Sequence, residues 1–130
     1  MNYNYVEKLK RFKDSRGDLL PLNFSTLPFN PKRFFLVTDV PKDVKRGDHA
    51  HFSTKQLLIC LRGEIDVELF DGVDTSLYTL KEGDSIYIPE MIWDSQVFKT
   101  GDDLLLVFAS TEYNKSDYIT DKQRYLKLIN

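Results

Sequence analysis

Apolar residues recur along the chain in short runs that turn residues separate. The segment 64–69 reads Glu-Ile-Asp-Val-Glu-Leu, and this alternation of acidic and aliphatic residues is typical of a strand with one buried face. The run 104–109 is continuously apolar, which predicts a strand buried on both faces. Further strands are predicted at 5–12, 19–22, 33–40, 56–61, 76–80, 85–88 and 93–98, and one more begins at His49 and His51.

Turn signals divide these predicted strands at intervals of roughly 8–12 residues. Asp71-Gly72, for example, is a typical hairpin turn. No helical segment of crossover length lies between the strands, so the pattern favours an all-β sandwich or barrel over βαβ units.

One segment near the C-terminus departs from the strand pattern. Residues 121–129 place Tyr125, Leu128 and Ile129 on one helical face, which predicts a short C-terminal helix. The 130 residues of the chain suit one compact domain. We therefore predict a single all-β domain over residues 1–130.

Composition and charge exclude several classes of function. A net charge of −2 at pH 7 offers no basic surface, so a nucleic acid polymer is not an expected partner. The sequence shows no cationic-then-apolar leader and no apolar run of about eighteen residues, so we expect no membrane association and a cytoplasmic location. The single cysteine, Cys60, lies in an apolar strand and is expected to be a buried small hydrophobe.

Both histidines of the chain lie two residues apart, just before the apolar run 56–61. Side chains in a strand alternate between faces, so His49 and His51 point to the same side of a sheet. The residues that follow are too apolar for a surface loop. Two imidazoles that face one interior act either as metal ligands or as general acid and base groups.

The sequence around this histidine pair resembles the first signature of the cupin β-barrels. Gly47 precedes the pair, Gln56 follows it after four residues, and Gly63 follows Gln56 after six. In cupins the two histidines and a glutamate at the position of Gln56 bind a metal ion. The resemblance implies a small single-domain cupin, or jelly-roll, β-barrel.

The second cupin signature is only partly present. Gly83 and Pro89 keep its spacing, but Met91 replaces a glycine and Asp94 replaces the third histidine ligand. A metal site of this type needs three or four ligands, and two of the family's ligands are missing here. We therefore predict no metal, so that the histidines act as proton-transfer groups; a site of two histidines and the Asp94 carboxylate is the alternative.

A longer set of residues, in chain order, resembles the nucleotide-sugar 3,4-ketoisomerases, which are metal-independent cupins that act on dTDP-4-keto-6-deoxyglucose. The set spans nearly the whole chain and comprises Asp14–Gly17, Arg33, Arg46–Gly47, the histidine pair, Gln56, Pro89, Trp93 and Ser116–Ile119. The resemblance implies an isomerase without cofactors that makes a 3-keto sugar through an enediol, in the synthesis of 3-amino-deoxysugars for surface glycans. Asp94 is a departure, because family members can carry histidine at this position.

The resemblance also implies roles for individual residues. His51 is the expected base for the C3 proton, and His49 is the second proton-transfer or oxygen-polarising group, although the assignment between the two stays open. Arg33 and Arg46 are candidates for binding the diphosphate, because a guanidinium group bonds phosphate bidentately.

Three further residues are candidates for the substrate site. Arg16 lies in a turn and is expected to shape the site more than to hold phosphate. Gln56 is expected to hydrogen-bond the sugar, with a core amide as the alternative. Trp93 either stacks on the sugar or base or fills the barrel. Tyr113 and Tyr118 are expected to be structural.

The resemblance also bears on assembly and on rival functions. The family forms homodimers that exchange N-terminal strands, so residues 1–12 are expected to pair across subunits, which an open barrel edge favours. The rivals are a nucleotide-sugar 3,5-epimerase, a metal-dependent cupin oxygenase and a sugar-binding cupin without catalysis. Epimerases are typically longer and use a histidine with an aspartate and a tyrosine. The C4 configuration of the product and the nucleotide base stay open.

Overall fold

A computed structural model describes residues 6–130, with side chains from residue 8 onward, and strands dominate it. The strands are β1 (Val6–Lys8), β2 (Phe12–Asp14), β3 (Gly17–Leu19), β4 (Arg33–Thr38), β5 (Val44–His51), β6 (Gln56–Arg62), β7 (Glu64–Phe70), β8 (Thr75–Lys81), β9 (Asp84–Ile88), β10 (Trp93–Phe98), β11 (Leu104–Ala109) and β12 (Tyr118–Ile119). The helix α1 covers Lys122–Ile129, and single 3₁₀ turns cover Phe24–Thr26 and Lys115–Asp117.

Two five-stranded antiparallel sheets form the body of the protein. One has the strand order β1-β9-β6-β11-β4 and the other has the order β12-β5-β10-β7-β8, while β2 and β3 form a separate hairpin. The main core draws on both sheets, with buried aliphatic residues from β6, β7, β9 and β11 in one cluster. The predicted all-β architecture with a short C-terminal helix is confirmed.

The alternation predicted for 64–69 is found in β7. Ile65, Val67 and Leu69 are buried in the main core, whereas the acidic residues between them are half-buried or exposed. This strand pairs with β10 from Ile65 to Phe70. It therefore fixes which face of β10 looks into the core, and this matters for the site below.

The first and fifth strands differ from their predicted bounds. The predicted strand 5–12 is broken into β1, which pairs with β9, and β2, which pairs with β3. Between these two strands, the guanidinium group of Arg11 bonds Asp18 at 2.7 Å and Glu82 at 2.9 Å. Strand β5 begins at Val44 rather than at the histidines, because its first half already pairs with β10.

The prediction that 104–109 is buried on both faces is wrong. Positions along β11 alternate between half-buried and buried. The outward face holds Phe108, whose ring lies 5.4 Å from that of Phe24 and 6.3 Å from that of Phe34. Aromatic contacts therefore cover Phe108 in part, and the other outward residues of the run, Leu104 and Leu106, are half-buried as well.

A second, smaller core lies between α1 and the sheet that contains β5, β10 and β12. Its buried members are Ala50, Trp93, Ile119 and Tyr125. The Tyr125 hydroxyl donates to the carbonyl oxygens of Met91, at 2.8 Å, and Phe70, at 3.1 Å. These contacts anchor the C-terminal helix.

The helix follows its prediction except at one position. Asp121 accepts a hydrogen bond from the backbone N–H of Gln123 at 3.0 Å, so it caps the helix, which begins at Lys122. Leu128, predicted on the buried face, is 45 % exposed. The buried stripe is narrower than the sequence predicted, because α1 packs mainly through Tyr125 and Ile129.

The N-terminal segment bears on assembly. Strand β1 pairs with β9 of the same chain, and residues 1–5, which belong to the segment predicted to be exchanged, lie outside the described residues. Strand exchange in a homodimer, the single-domain boundary and the cytoplasmic location stay predictions. Within residues 6–130, no helix is long and apolar enough to span a membrane.

Tyr125→Phe tests the anchor of α1. The change keeps the buried ring but removes the hydroxyl that bonds the Met91 carbonyl, so we expect the free energy of unfolding to fall by about 1–2 kcal/mol. Urea denaturation measures the change. Tyr113→Phe is the matched control, because Tyr113 is 58 % exposed. Equal effects of the two substitutions would contradict an anchoring role for the hydroxyl.

Candidate active site

The histidine pair lies at the end of β5 and on one face of the strand, as predicted. The two ring centroids are 4.8 Å apart and the rings are nearly perpendicular, at 81°. His51 is only 3 % exposed and His49 is half-buried. Neighbouring strands flank both residues, since β12 pairs Tyr118 with His51 and β10 pairs Asp94 with His49.

A cavity of about 190 Å³ lies between the two sheets beside His49. Its lining combines apolar residues with several polar groups: Phe35, Val37, Arg46, Gly47, His49, Gln56, Leu58, Gln96, Leu105, Val107 and Tyr118. Pockets that hold whole drug-sized ligands are larger, roughly 300–1,000 Å³. This cavity therefore suits a group about the size of one ring, and a larger ligand must extend outside it.

Burial sets the charge state of the histidines. Desolvation, aided by His49 and Arg33, lowers the pKa of His51 to about 4. Burial also lowers the pKa of His49. Both imidazoles are therefore neutral at neutral pH. The Nε2 atom of His51 is buried without a hydrogen-bond partner among the described residues, so one ring nitrogen is not engaged by the protein.

Tyr118 forms part of the site, although the sequence indicated a structural role for it. Its ring centroid lies 4.4 Å from that of His51 and 5.1 Å from that of His49. Its hydroxyl accepts a hydrogen bond from Arg33 Nη2 at 3.4 Å. The signal that could have found it is its place in the Ser116–Ile119 segment, which is part of the resemblance to the ketoisomerases.

A carboxylate fixes the position of this tyrosine. Asp117 accepts hydrogen bonds from the backbone N–H and hydroxyl of Ser53, at 3.0 and 2.7 Å, and from those of Thr54, at 3.2 and 2.5 Å. Burial opposes ionisation of Asp117, but these hydrogen bonds outweigh it and lower its pKa. We call this set of contacts the Asp117 clamp; it ties the start of β12 to the loop after β5.

The structure brings both candidate phosphate ligands to the same region. Arg46 lines the cavity. The guanidinium group of Arg33 stacks over the rings of Phe35, at 5.3 Å, and Tyr113, at 5.6 Å. Its Nε atom is buried and has no hydrogen-bond partner in the described part of the chain, and Arg33 itself does not line the cavity.

The remaining predicted substrate contacts divide into two groups. Gln56 is buried and lines the cavity, where its amide can meet a ligand. Trp93 lies in the second core, on the side of its sheet that faces α1, and its Nε1 donates to Asp48 at 3.0 Å, so it neither lines the cavity nor fills the barrel between the two sheets. The Arg16 side chain is 88 % exposed and pairs with Asp14 at 2.7 Å. The structure does not bring Trp93 or Arg16 to the cavity.

Asp94 is completely buried behind the cavity wall. Gln96, which lines the cavity, donates from Nε2 to its Oδ1 at 2.6 Å, while Oδ2 has no partner among the described residues. Burial raises the pKa of Asp94 to about 7. Gly47 packs against both side chains, since a Cβ atom there would lie 3.0 Å from Gln96 and 3.2 Å from Asp94.

Metal binding was the alternative role for the histidine pair and Asp94. In the described part of the chain, no group of three or more His, Cys, Asp or Glu side chains is arranged to hold a metal ion. Asp94 Oδ1 is engaged by Gln96 instead. That the protein works without a metal or cofactor stays a prediction.

The fold and the site together define a small cupin-type β-barrel with a histidine pair beside a ring-sized cavity. The family described as "FdtA: WxcM-like, C-terminal" matches residues 1–130, and the chain belongs to this family. The cupin resemblance inferred from the sequence is thereby confirmed.

Characterised relatives agree with this assignment. The chain is 32 % identical over 128 residues to TDP-4-oxo-6-deoxy-alpha-D-glucose-3,4-oxoisomerase of Aneurinibacillus thermoaerophilus, which covers 97 % of this chain and 92 % of the relative. A mutant of the 3,4-ketoisomerase QdtA from Thermoanaerobacterium thermosaccharolyticum, solved in complex with TDP-4-keto-6-deoxyglucose, has a TM-score of 0.91 at 30 % identity, covering 99 % of this chain and 95 % of that one. A 3,4-ketoisomerase from Helicobacter canadensis gives a TM-score of 0.91 at 30 % identity, with 97 % and 96 % covered. The predicted resemblance to sugar 3,4-ketoisomerases, and with it the isomerase class, is confirmed.

Asp94→Asn tests the buried carboxyl group. The pKa of this group is about 7 in the folded protein and has an ordinary value of 3.8, so between these pH values the folded protein binds more protons than the unfolded chain. The free energy of unfolding therefore falls as pH rises through this window. Asparagine does not ionise, so this decline is absent from the variant. Its free energy of unfolding relative to wild type should therefore rise by up to roughly 4 kcal/mol from pH 4 to pH 8.

Urea denaturation of both proteins at several pH values measures this difference. Contributions from the histidines have the opposite sign but are common to both proteins and cancel. Asp39→Asn, at an exposed aspartate, is the control. A stability difference between Asp94→Asn and wild type that does not change with pH would show that Asp94 ionises normally.

Proposed function

We propose that this protein converts dTDP-4-keto-6-deoxyglucose into a dTDP-3-keto-6-deoxyhexose, for the synthesis of dTDP-3-amino-deoxysugars. The observation that carries the proposal is a pair of neutral imidazoles 4.8 Å apart, in which His49 lines a cavity that suits one ring and its neighbour His51 has a buried Nε2 without a partner among the described residues. The 3,4-ketoisomerases that resemble the chain over almost their whole length support the choice of substrate.

The reaction is a tautomerisation that requires a base and an acid. The C3 proton is acidified by the neighbouring C4 carbonyl, and its removal gives an enediolate that is protonated at C4. A neutral imidazole is suited to both transfers, because it accepts a proton and then returns it. His51 is the proposed base, and His49, which lines the cavity, is the proposed second group. No electrons leave the sugar, so the chemistry requires no redox cofactor.

The nucleotide part of the substrate is proposed to lie outside the cavity. A volume of about 190 Å³ accommodates the sugar ring but not the attached diphosphate and nucleoside. Arg46 in the cavity lining and Arg33 beside Tyr118 carry the charge that a diphosphate requires. Gln56 is proposed to hydrogen-bond a sugar hydroxyl from the cavity wall.

His51→Asn tests the proposed base. We expect wild-type enzyme, treated with EDTA, to form a 3-keto product from dTDP-4-keto-6-deoxyglucose in D₂O, and the variant to lose about 10²–10⁴-fold in rate, the usual contribution of a general base. An NMR time course measures product and deuterium together, and the proton coupling at C4 distinguishes the galacto from the gluco product. Asp39→Asn controls for surface substitution.

The alternative functions give different spectra. Exchange at C3 and C5 without a 3-keto product would indicate the epimerase. Binding of the substrate without any exchange would indicate a binding module. Activity that EDTA removes and a divalent metal restores would indicate a metal enzyme. A variant as active as wild type would remove His51 from the mechanism.

The pH dependence of kcat/KM tests the charge state of the base. Because the pKa of His51 in the free enzyme is about 4, activity should persist as pH falls and reach half its maximum near pH 4. Circular dichroism at each pH separates this loss from acid unfolding. An acid limb near pH 6.5, the ordinary value for histidine, would show that a group other than a buried His51 acts as the base.

A further inference from the structure

Tyr118 carries the one hydroxyl group among the described residues that line the cavity. The other polar groups of the lining are one imidazole, two amides and one guanidinium. The phenol ring lies against both histidines, at centroid distances of 4.4 and 5.1 Å. Its oxygen lies 3.4 Å from the guanidinium group of Arg33. The phenol on the cavity wall thus contacts two imidazoles and a cation, of which only His49 lines the cavity itself.

The proposed reaction moves two protons rather than one. The carbon-bound proton must pass from C3 to C4. The hydroxyl proton on O3 must also leave, because O3 becomes a carbonyl oxygen, and O4 must gain a proton, because it becomes a hydroxyl. Two neighbouring groups of different character can divide this work, one for the carbon proton and one for the oxygen proton.

We propose that Tyr118 is a catalytic residue that carries the hydroxyl proton from O3 to O4, while His51 carries the carbon proton. This inference rests on the proposed function and assigns the oxygen-proton step within it. His51 Nε2 takes the C3 proton, the C–H electrons form the C3–C4 double bond, and O4 takes the phenol proton. The phenolate then takes the O3 proton, O3 forms the carbonyl, and the double bond takes the proton of His51 at C4. Both residues return to their starting states.

Arg33 supports this role electrostatically. The phenolate that exists between the two steps is an anion in a partly buried site, and an anion there requires a cation or hydrogen-bond donors. The Nη2 atom of Arg33 already donates to this oxygen in the resting protein. Burial lowers the pKa of His49 and outweighs the Gly47 backbone hydrogen bond and the Asp48 carboxylate, which both favour its charged form.

The backbone holds the phenol in register with the base. Tyr118 pairs directly with His51 across β12 and β5. The preceding residue forms the Asp117 clamp, whose hydrogen bonds to Ser53 and Thr54 fix the other side of the same loop. Tyr118 therefore cannot move away from the histidines without breaking these bonds, which suits a group that must remain within reach of O3 and O4.

Tyr118→Phe tests the proposal, because phenylalanine keeps the ring contacts and removes only the hydroxyl. We expect kcat to fall by about 10²–10⁴-fold, as for loss of a general acid–base group, with KM within about threefold of wild type. His51 remains in the variant, so the recovered substrate should take up C3 deuterium from D₂O faster than product forms, and the ratio of exchange to product should rise above that of wild type.

Tyr113→Phe is the matched control, since Tyr113 stacks on Tyr118 at 5.9 Å but does not line the cavity. It should keep kcat and the exchange ratio of wild type. A second variant carries 3-fluorotyrosine at position 118, which keeps the ring and hydroxyl but makes the phenol more acidic. The alkaline limb of its kcat profile should move to lower pH.

Three results would overturn the assignment. They are a kcat of Tyr118→Phe within threefold of wild type, a higher KM with unchanged kcat, and an unmoved alkaline limb in the fluorotyrosine enzyme. In each case wild type still forms the 3-keto product, so the proposed function survives. A folded wild-type enzyme that forms no 3-keto product would overturn both the proposed function and the relay.

Discussion

The carboxylate of Asp117 accepts hydrogen bonds from Ser53 and Thr54, and these long-range contacts hold the two halves of the site together. The histidine pair ends β5, and the chain must then turn away. Without the clamp, the two-residue strand β12 has little pairing of its own, with only Tyr118 and Ile119 in register with β5. The hydrogen bonds to charged oxygens are individually strong. These hydrogen bonds hold the short edge strand β12 in place beside His49 and His51.

The protein also keeps polar atoms buried and unpaired beside this strand. Arg33 Nε, His51 Nε2 and Asp94 Oδ2 are the buried side-chain polar atoms without a partner in residues 8–130. Unpaired buried groups destabilise a fold, by about 1–3 kcal/mol each. All three belong to residues of this one region, since Arg33 and His51 contact Tyr118 and Asp94 pairs with His49. The unpaired polar atoms that destabilise the fold are therefore concentrated in one region, where a substrate or a proton can pair with them.

The sequence could predict what depends on local periodicity and could not predict what depends on distant contacts. The shared face of the histidines followed from the period of a strand, and it holds in the structure. The same rule explains Trp93. Asp94 and Gln96 face Leu69 and Val67, which lie in the main core, so Trp93 must point to the second core. The place of Tyr118 in the site could not be predicted, because β12 is too short to show alternation. The position of β12 depends on contacts between residues more than sixty positions apart in the chain.

The persistence of the cupin signature has a packing explanation that does not involve metal. Gly47 has φ of +78°, and a Cβ atom there would lie 3.0 Å from the Gln96 amide and 3.2 Å from the Asp94 carboxylate, which is tighter than ordinary contact. Gly63 has φ of +90°, and a Cβ atom would lie 2.0 Å from Asp103 Oδ1, whose carboxylate accepts the Glu64 N–H at 2.8 Å. Glycine at both positions thus serves the backbone conformation and packing of the barrel. The glycines of the signature therefore depend on the fold, whereas the chemistry depends on the residues between them. For this reason the chain can lack the glutamate and the third histidine of the metal site and still keep the spacing of the signature.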